Sequence, residues 1–208
     1  MKLVIFGATG STGRQIVEQA LEQGHAVTAF TRNPAALESQ HANLETIQGD
    51  VMGFTAVERA VRGQDAAICV LGGGKNLTGT VRSQGTEHII QAMEKTGVRR
   101  LICQSTIGAG ESWENLNFYW KYVMFGFILR NVLADHQRQE KAVKQSNLDW
   151  TIVRPGAFVE GDLTGNYRHG FPSTEKTKLA ISRADIADFI LKQLTDNTYL
   201  GKAPALSY

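Results

Sequence analysis

Cysteine is scarce in this sequence: Cys69 and Cys103 are the only two, each inside an apolar, β-branched run. A disulfide framework or thiolate metal site needs more cysteines at regular spacing, so the pair reads as two buried thiols in a reducing compartment. Proline is almost as rare, with 4 residues, and together with 20% charged residues this excludes a disordered or collagen-like chain. Neither sign of charge dominates. The 22 basic and 20 acidic side chains leave a net charge of +2 and are mixed along the chain, which excludes a nucleic-acid footprint or a polybasic membrane anchor. Long hydrophobic runs are missing too. Only Leu3 to Phe6 are apolar before Gly7, too few for a signal peptide. Lys121 and Arg130 leave eight uncharged residues between them, too few to cross a membrane. The expectation is a soluble, cytoplasmic monomer with no nucleic-acid, membrane or metal partner.

Glycine is what the chain has in surplus. Its 21 glycines among 208 residues make about a tenth of the chain, against roughly 7% in average proteins. Glycine is costly inside regular elements and useful where backbone approaches something closely, so the surplus needs a local explanation. Strands are expected at 3–6, 26–31, 44–47, 66–71, 101–103 and 150–153. Helical patterns lie between them: Arg14 to Gln23 with Gly24 as a stop, Val57 to Val61, and Thr86 to Met93. Ser182 and Asp185 form an S-x-x-D capping box before a last helix. Strands alternating with helices, with continuous apolar runs such as KLVIF and AAICVL, mean a parallel sheet covered on both faces. The fold class expected is α/β: one Rossmann domain over 1–208, doubly wound, with helices on both faces.

The first strand runs into GATGSTG and then a helix. Gly7, Gly10 and Gly13 suit a loop whose backbone N–H groups and helix N-terminus face a pyrophosphate, with Thr9, Ser11 and Thr12 adding hydroxyls. At the end of the second strand, Thr31 and Arg32 stand where NAD binders place a carboxylate. A planar guanidinium there suits the 2′-phosphate of NADP. Asp50 is either a partner for the adenine amine or a turn former. Leu71, Gly72, Gly73 and Gly74 end the fourth strand, where ligands of open α/β sheets lie.

In GATGSTGRQIVEQAL, TRNP, GDV and WTIVRPG, the chain resembles the atypical short-chain dehydrogenase/reductase superfamily. More narrowly it resembles the biliverdin-IXβ reductase / flavin reductase group, related to NmrA-like proteins. The resemblance implies hydride transfer from NADPH to a flavin or a linear tetrapyrrole, with flavin a substrate rather than a tightly bound cofactor. It implies that Gly7, Thr9, Gly10, Ser11, Thr12 and Gly13 hold the pyrophosphate and Arg32 the 2′-phosphate. Asp50 and Val51 would contact adenine, Ser105 would sit beside the nicotinamide, and Pro155 and Gly156 would line its far side. The chain departs from the group at Ala157, where a histidine is expected.

The Tyr-x-x-x-Lys pair of many short-chain dehydrogenases has no match at Tyr119, Tyr122 or Tyr167, which argues against alcohol/carbonyl chemistry. Flavins, bilins and quinones are conjugated and take hydride with less need of a protein acid, so orientation matters most. Ser105 is the candidate catalytic residue, or a local backbone partner. His136 reads first as an exposed helical residue and otherwise as a group reaching the substrate. Trp113 to Phe127 holds seven of the 17 aromatics. Phe118, Tyr122, Phe125, Leu129 and Val132 fall on one helical stripe expected to pack on the core. Trp120, Met124 and Phe127 lie off it, as a lid for a planar substrate or a subunit contact. The lid is placed at 106–135, with Trp113, Trp120, Phe127 and His136 as substrate residues. The competing reading is a non-enzymatic NADP-sensing regulator of the NmrA-like kind. A sugar-nucleotide epimerase is disfavoured, because little chain follows the sixth strand.

Overall fold

In β1 (Lys2–Phe6), Leu3 and Ile5 enter one hydrophobic cluster and Val4 and Phe6 another. This is the period-two alternation of a strand with core on both sides. The computed structural model, which describes residues 1–37, 40–73, 78–172, 175 and 177–208, repeats the pattern in β4 (Ala66–Cys69) and β5 (Arg100–Gln104). There Ala66, Ile68 and Ile102 face one way and Ala67, Cys69, Leu101 and Cys103 the other. The first cluster is closed by α1 (Ser11–Glu22) and α5 (Arg183–Lys192), the second by α2 (Phe54–Val61), α3 (Val81–Thr96) and α4 (Arg130–Gln145). Helices on both faces of a mostly parallel sheet make this a single-domain Rossmann-type α/β fold. Both cysteines are buried thiols, side by side in the register of β4 and β5.

With β2 (Ala26–Thr31), β3 (Leu44–Gln48) and β6 (Asp149–Pro155), the main sheet begins in the order β3-β2-β1-β4-β5-β6. The order reverses between β1 and β4, and the crevice at that switch is where such sheets bind ligands. The sheet then departs from the all-parallel expectation. β10 (Ala205–Ser207) continues it in parallel, and β8 (Arg168–His169) closes the edge antiparallel. A separate parallel pair joins β7 (Ala157–Val159) to β9 (Ala180–Ser182). These four strands are two or three residues long, too short to carry a readable period. Among the described residues, no helix is long and apolar enough to cross a membrane.

Helix boundaries moved where the sequence carries few apolar residues. α1 starts at Ser11 rather than Arg14, and α3 at Val81 rather than Thr86. The end of the glycine loop is therefore the first turn of α1. Ser182 caps α5 by accepting from the Asp185 N–H at 3.1 Å. The reciprocal half of the capping box is diverted, because the Asp185 carboxylate accepts from the N–H groups of Thr164 and Gly165 and from Tyr208 Oη.

Candidate functional site

A cleft of about 630 Å³ runs along the carboxyl ends of the parallel strands, within the size range of small-ligand sites. At its closed end, Gly7 has φ +90, and a Cβ there would lie 2.5 Å from the Val70 carbonyl oxygen. A Cβ on Gly13 would lie 2.1 Å from the Gly7 oxygen. Both positions admit only glycine, because β1, β4 and α1 meet in backbone contact. Gly10 is the N-cap of α1, with no side-chain cap and no acid in the first turn. The helix thus presents uncapped N–H groups and its positive dipole end to the cleft. Thr9, Ser11 and Thr12 line the same end.

Arg32 lines the cleft just beyond β2, exposed, and its guanidinium has no ion pair or hydrogen bond among the described residues. Asp50 accepts the Met52 N–H at 2.9 Å as a turn former does, and with Val51 it also lines the cleft. Leu71, Gly72 and Gly156 line it as well. Gly73 and Pro155 do not, and Gly74 lies outside the described residues. Pro155 is buried within β6, where its carbonyl accepts the Ile107 N–H at 2.9 Å.

The opposite end is walled by Trp120, Phe125, Leu129 and Val132, with Ser105 and His136 beside them. The stripe expected from an α-helical period is broken here. Tyr119–Ile128 is a π-helix, in which Leu129 donates to the Met124 carbonyl five residues back. The wider turn brings Trp120, Phe125 and Leu129 to one side. It carries Phe118, Tyr122 and Phe127 outward, at 74, 61 and 85% exposure. Trp113 packs beneath, in a cluster with Ile107, Leu116 and Leu133, without lining the cleft. Of the four substrate candidates, Trp120 and His136 reach the cleft, and Trp113 and Phe127 do not.

Residues 7–197 match the model of a family described as NAD(P)H-binding. The chain belongs to the NAD(P)H-binding family. An uncharacterised chloroplast protein of Arabidopsis thaliana is 32% identical over 79% of the chain, which spans 62% of that relative's length. A (4-alkanoyl-5-oxo-2,5-dihydrofuran-3-yl)methyl phosphate reductase of Streptomyces griseus is 26% identical over 99% of the chain and 67% of its own. The fold is shared with the anaerobillin reductase ChuY from Escherichia coli, at TM-score 0.83 and 24% identity, over 100% of this chain and 97% of that one.

In this NAD(P)H-binding chain, α4 carries the electrostatics beside Trp120 and Ser105. His136 is not the exposed residue expected from its polar neighbours, being only 7% accessible. Burial, reinforced by the nearby Arg82 guanidinium, lowers its pKa to about 4. One turn on, Glu140 accepts from the fully buried Arg154, Nε to Oε1 at 2.8 Å and Nη2 to Oε2 at 2.6 Å. Burial pushes the Glu140 carboxyl up, but the Arg154 bonds outweigh it and hold the acid ionised. The Ser105 hydroxyl helps by proximity without a properly formed hydrogen bond. Sequence reasoning missed Arg82, Gln104 and Phe158, which line the cleft without standing in any motif. It also missed Arg183, whose Nε donates to Ser11 Oγ at 2.9 Å from the start of α5.

Proposed function

We propose that the protein is an NADPH-dependent reductase that passes hydride to a planar, conjugated acceptor, a flavin or a linear tetrapyrrole, with flavin bound as substrate. The observation that carries this reading is the single cleft joining an uncapped helix terminus and an unpaired Arg32 to an aromatic wall. Among the described residues that line it there is no tyrosine and no lysine, so the tyrosine–lysine route to a carbonyl has no residues to run on. The residues fit the cofactor: the backbone contacts at Gly7 and Gly13 leave the α1 N-terminus clear for a pyrophosphate, and Arg32, whose guanidinium has no partner among the described residues, suits a 2′-phosphate. NADPH supplies the hydride.

The chain's own part is binding and orientation. Arg32 and the first turn of α1 bind the two phosphate groups. Leu71, Gly72 and Gly156 line the path between the ends of the cleft. Trp120, Phe125 and Leu129 exclude water and hold the acceptor's plane, which favours a near-attack geometry. Hydride brings both electrons, and a conjugated acceptor spreads the charge until solvent provides a proton. The reductase from Streptomyces griseus and the fold of the bilin-acting ChuY support this class of reaction.

The test is NADPH oxidation with FMN, FAD, riboflavin, biliverdin and a quinone. Turnover is expected with flavins or biliverdin. Arg32→Ala is expected to weaken NADPH binding about tenfold or more, the scale of one charge-assisted contact, and to leave NADH unchanged. A second reading, the non-enzymatic NADP-binding regulator, draws on the exposed face of Phe118, Tyr122 and Phe127. NADPH binding without turnover on any acceptor would select it.

A further inference from the structure

The acceptor end of the cleft gathers polar atoms that no properly formed hydrogen bond among the described residues satisfies. Gln104 Oε1 and Ser105 Oγ are buried with no hydrogen-bond partner among the described residues. His136 bonds through Nδ1 alone, so its Nε2 has no partner among them either. All three residues line the cleft. A polar atom left unpaired once water is displaced is costly, so Nε2 facing the cleft calls for a ligand that supplies the missing bond.

The state of His136 follows from the hydrogen bonds behind it. Gln139, fully buried, donates Nε2–H to Thr86 Oγ1 at 3.1 Å, beside Cys69 Sγ. Its Oε1 then meets His136 Nδ1 at 3.2 Å. A carbonyl oxygen only accepts, so Nδ1 carries the ring proton and Nε2 keeps a lone pair. The charged groups around the ring are Arg82 from α3 and Asp135 and Glu140 from α4 itself, and burial with Arg82 keeps it neutral.

We infer that His136 Nε2 accepts a hydrogen bond from a ring N–H of the electron acceptor, with Gln139 as the positioning residue that fixes the histidine tautomer. This rests on the reductase reading and narrows it: the site selects N–H-bearing heterocycles, flavins and bilins, over quinones. A quinone offers only acceptor oxygens, which would face the His136 Nε2 lone pair and leave it unpaired.

The experiment compares lumiflavin with its N3-methyl derivative as acceptors for the full chain with NADPH. The N3-methyl compound is expected to show a KM about tenfold higher, the scale of one hydrogen bond. His136→Phe brings the ratio of the two KM values close to one. Nitrogen NMR of the imidazole is expected to show Nδ1 protonated and Nε2 bare. Gln139→Met mixes the tautomers and lowers the ratio, and Gln139→Glu, which keeps an acceptor for Nδ1–H, restores both. These two variants answer the question even where His136→Phe does not fold. An Nε2–H tautomer in the unmodified protein, a ratio that survives His136→Phe, or a quinone with a KM at or below that of lumiflavin overturns the inference and leaves the reductase standing. No turnover with any acceptor overturns both.

Discussion

The ion pair between Glu140 and Arg154 ties α4 to β6, and Glu140→Leu is the change that tests its weight. Arg154 is fully buried, and its guanidinium makes two bonds to Glu140 and two contacts to Glu111, through Nη1 at 2.7 Å and Nη2 at 3.2 Å. Removing Glu140 leaves a buried cation facing Glu111, whose side chain is 69% exposed, and the Ala203 carbonyl at 3.5 Å. Breaking a buried pair from one side costs about 3–5 kcal/mol, because the remaining charge keeps its desolvation penalty. The Glu111 contact puts the expectation at the lower end, about 3 kcal/mol. For a chain of this size that corresponds to roughly 6–12 °C in melting temperature. The double variant Glu140→Leu/Arg154→Leu removes both charges from the interior and is expected to recover most of the loss. Urea unfolding of the three variants and the parent closes the cycle. A single variant within about 1 kcal/mol of the parent, or a double variant as unstable as the sum of the singles, would refute the assignment of a buried, mutually neutralising pair. His136 lies one turn before Glu140. The single variant should therefore also raise the acceptor KM while NADPH binding, at the other end of the cleft, holds.

Gly13→Val places a side chain on a position whose Cβ would already lie 2.1 Å from the Gly7 oxygen. It is expected to abolish NADPH binding in a fluorescence titration, and near-normal affinity would show that β1 and α1 need not touch. Trp120→Ala opens the aromatic wall and should raise the acceptor KM about tenfold with the NADPH Kd unchanged; equal changes in both would mean that the wall serves the cofactor. The pKa of His136 falls from 6.5 in the unfolded chain to about 4 in the fold. Above pH 6.5 the ring is neutral in both states. Between 6.5 and 4 only the unfolded chain takes the proton, so stability drops as pH falls through that window, by up to roughly 3 kcal/mol. Urea midpoints should decline from pH 7.5 to 4.5, and His136→Gln should flatten most of the decline.

The glycine-loop end of the cleft was legible in the sequence because it depends on strand ends and backbone. KLVIF buried on both faces fixes β1, the glycines that follow can only be a tight crossing, and Arg32 falls where β2 stops. Each of these signals is local. The short strands β7 to β10 were not legible, since they exist only through long-range partners: Leu206 pairs with Pro155 on one side and His169 on the other. His136 was misjudged for a related reason. Its neighbours in HQRQEK are polar, but Gln139 and Glu140 are polar groups buried by pairing, with Thr86 and Arg154, so α4 turns a hydrophilic face inward. A hydrophobic period does not register such a face.

The aromatic segment shows how much depends on helical pitch. At α-helical spacing, Phe118, Tyr122 and Phe125 share a side, and Trp120 with Phe127 lies off it. In the π-helix, each hydrogen bond skips one more residue, and the grouping becomes Trp120, Phe125 and Leu129 within and Phe118, Tyr122 and Phe127 without. No residue type announces the change, which ends at the junction with α4, where the Leu129 N–H donates to Met124 O and the Leu129 carbonyl accepts from the Leu133 N–H. The consequence is functional. A regular α-helix would have packed Phe118 and Tyr122 against the core and turned Trp120 away from Ser105 and His136. The wider turn puts a large indole on the cleft beside Ser105 and His136 and leaves four aromatic rings, Phe118, Tyr119, Tyr122 and Phe127, in solvent. A π-helix gives poorer backbone geometry than an α-helix. Its persistence over ten residues is accounted for by the packing of Trp120, Phe125 and Leu129 around the third core cluster, the same packing that builds the acceptor wall.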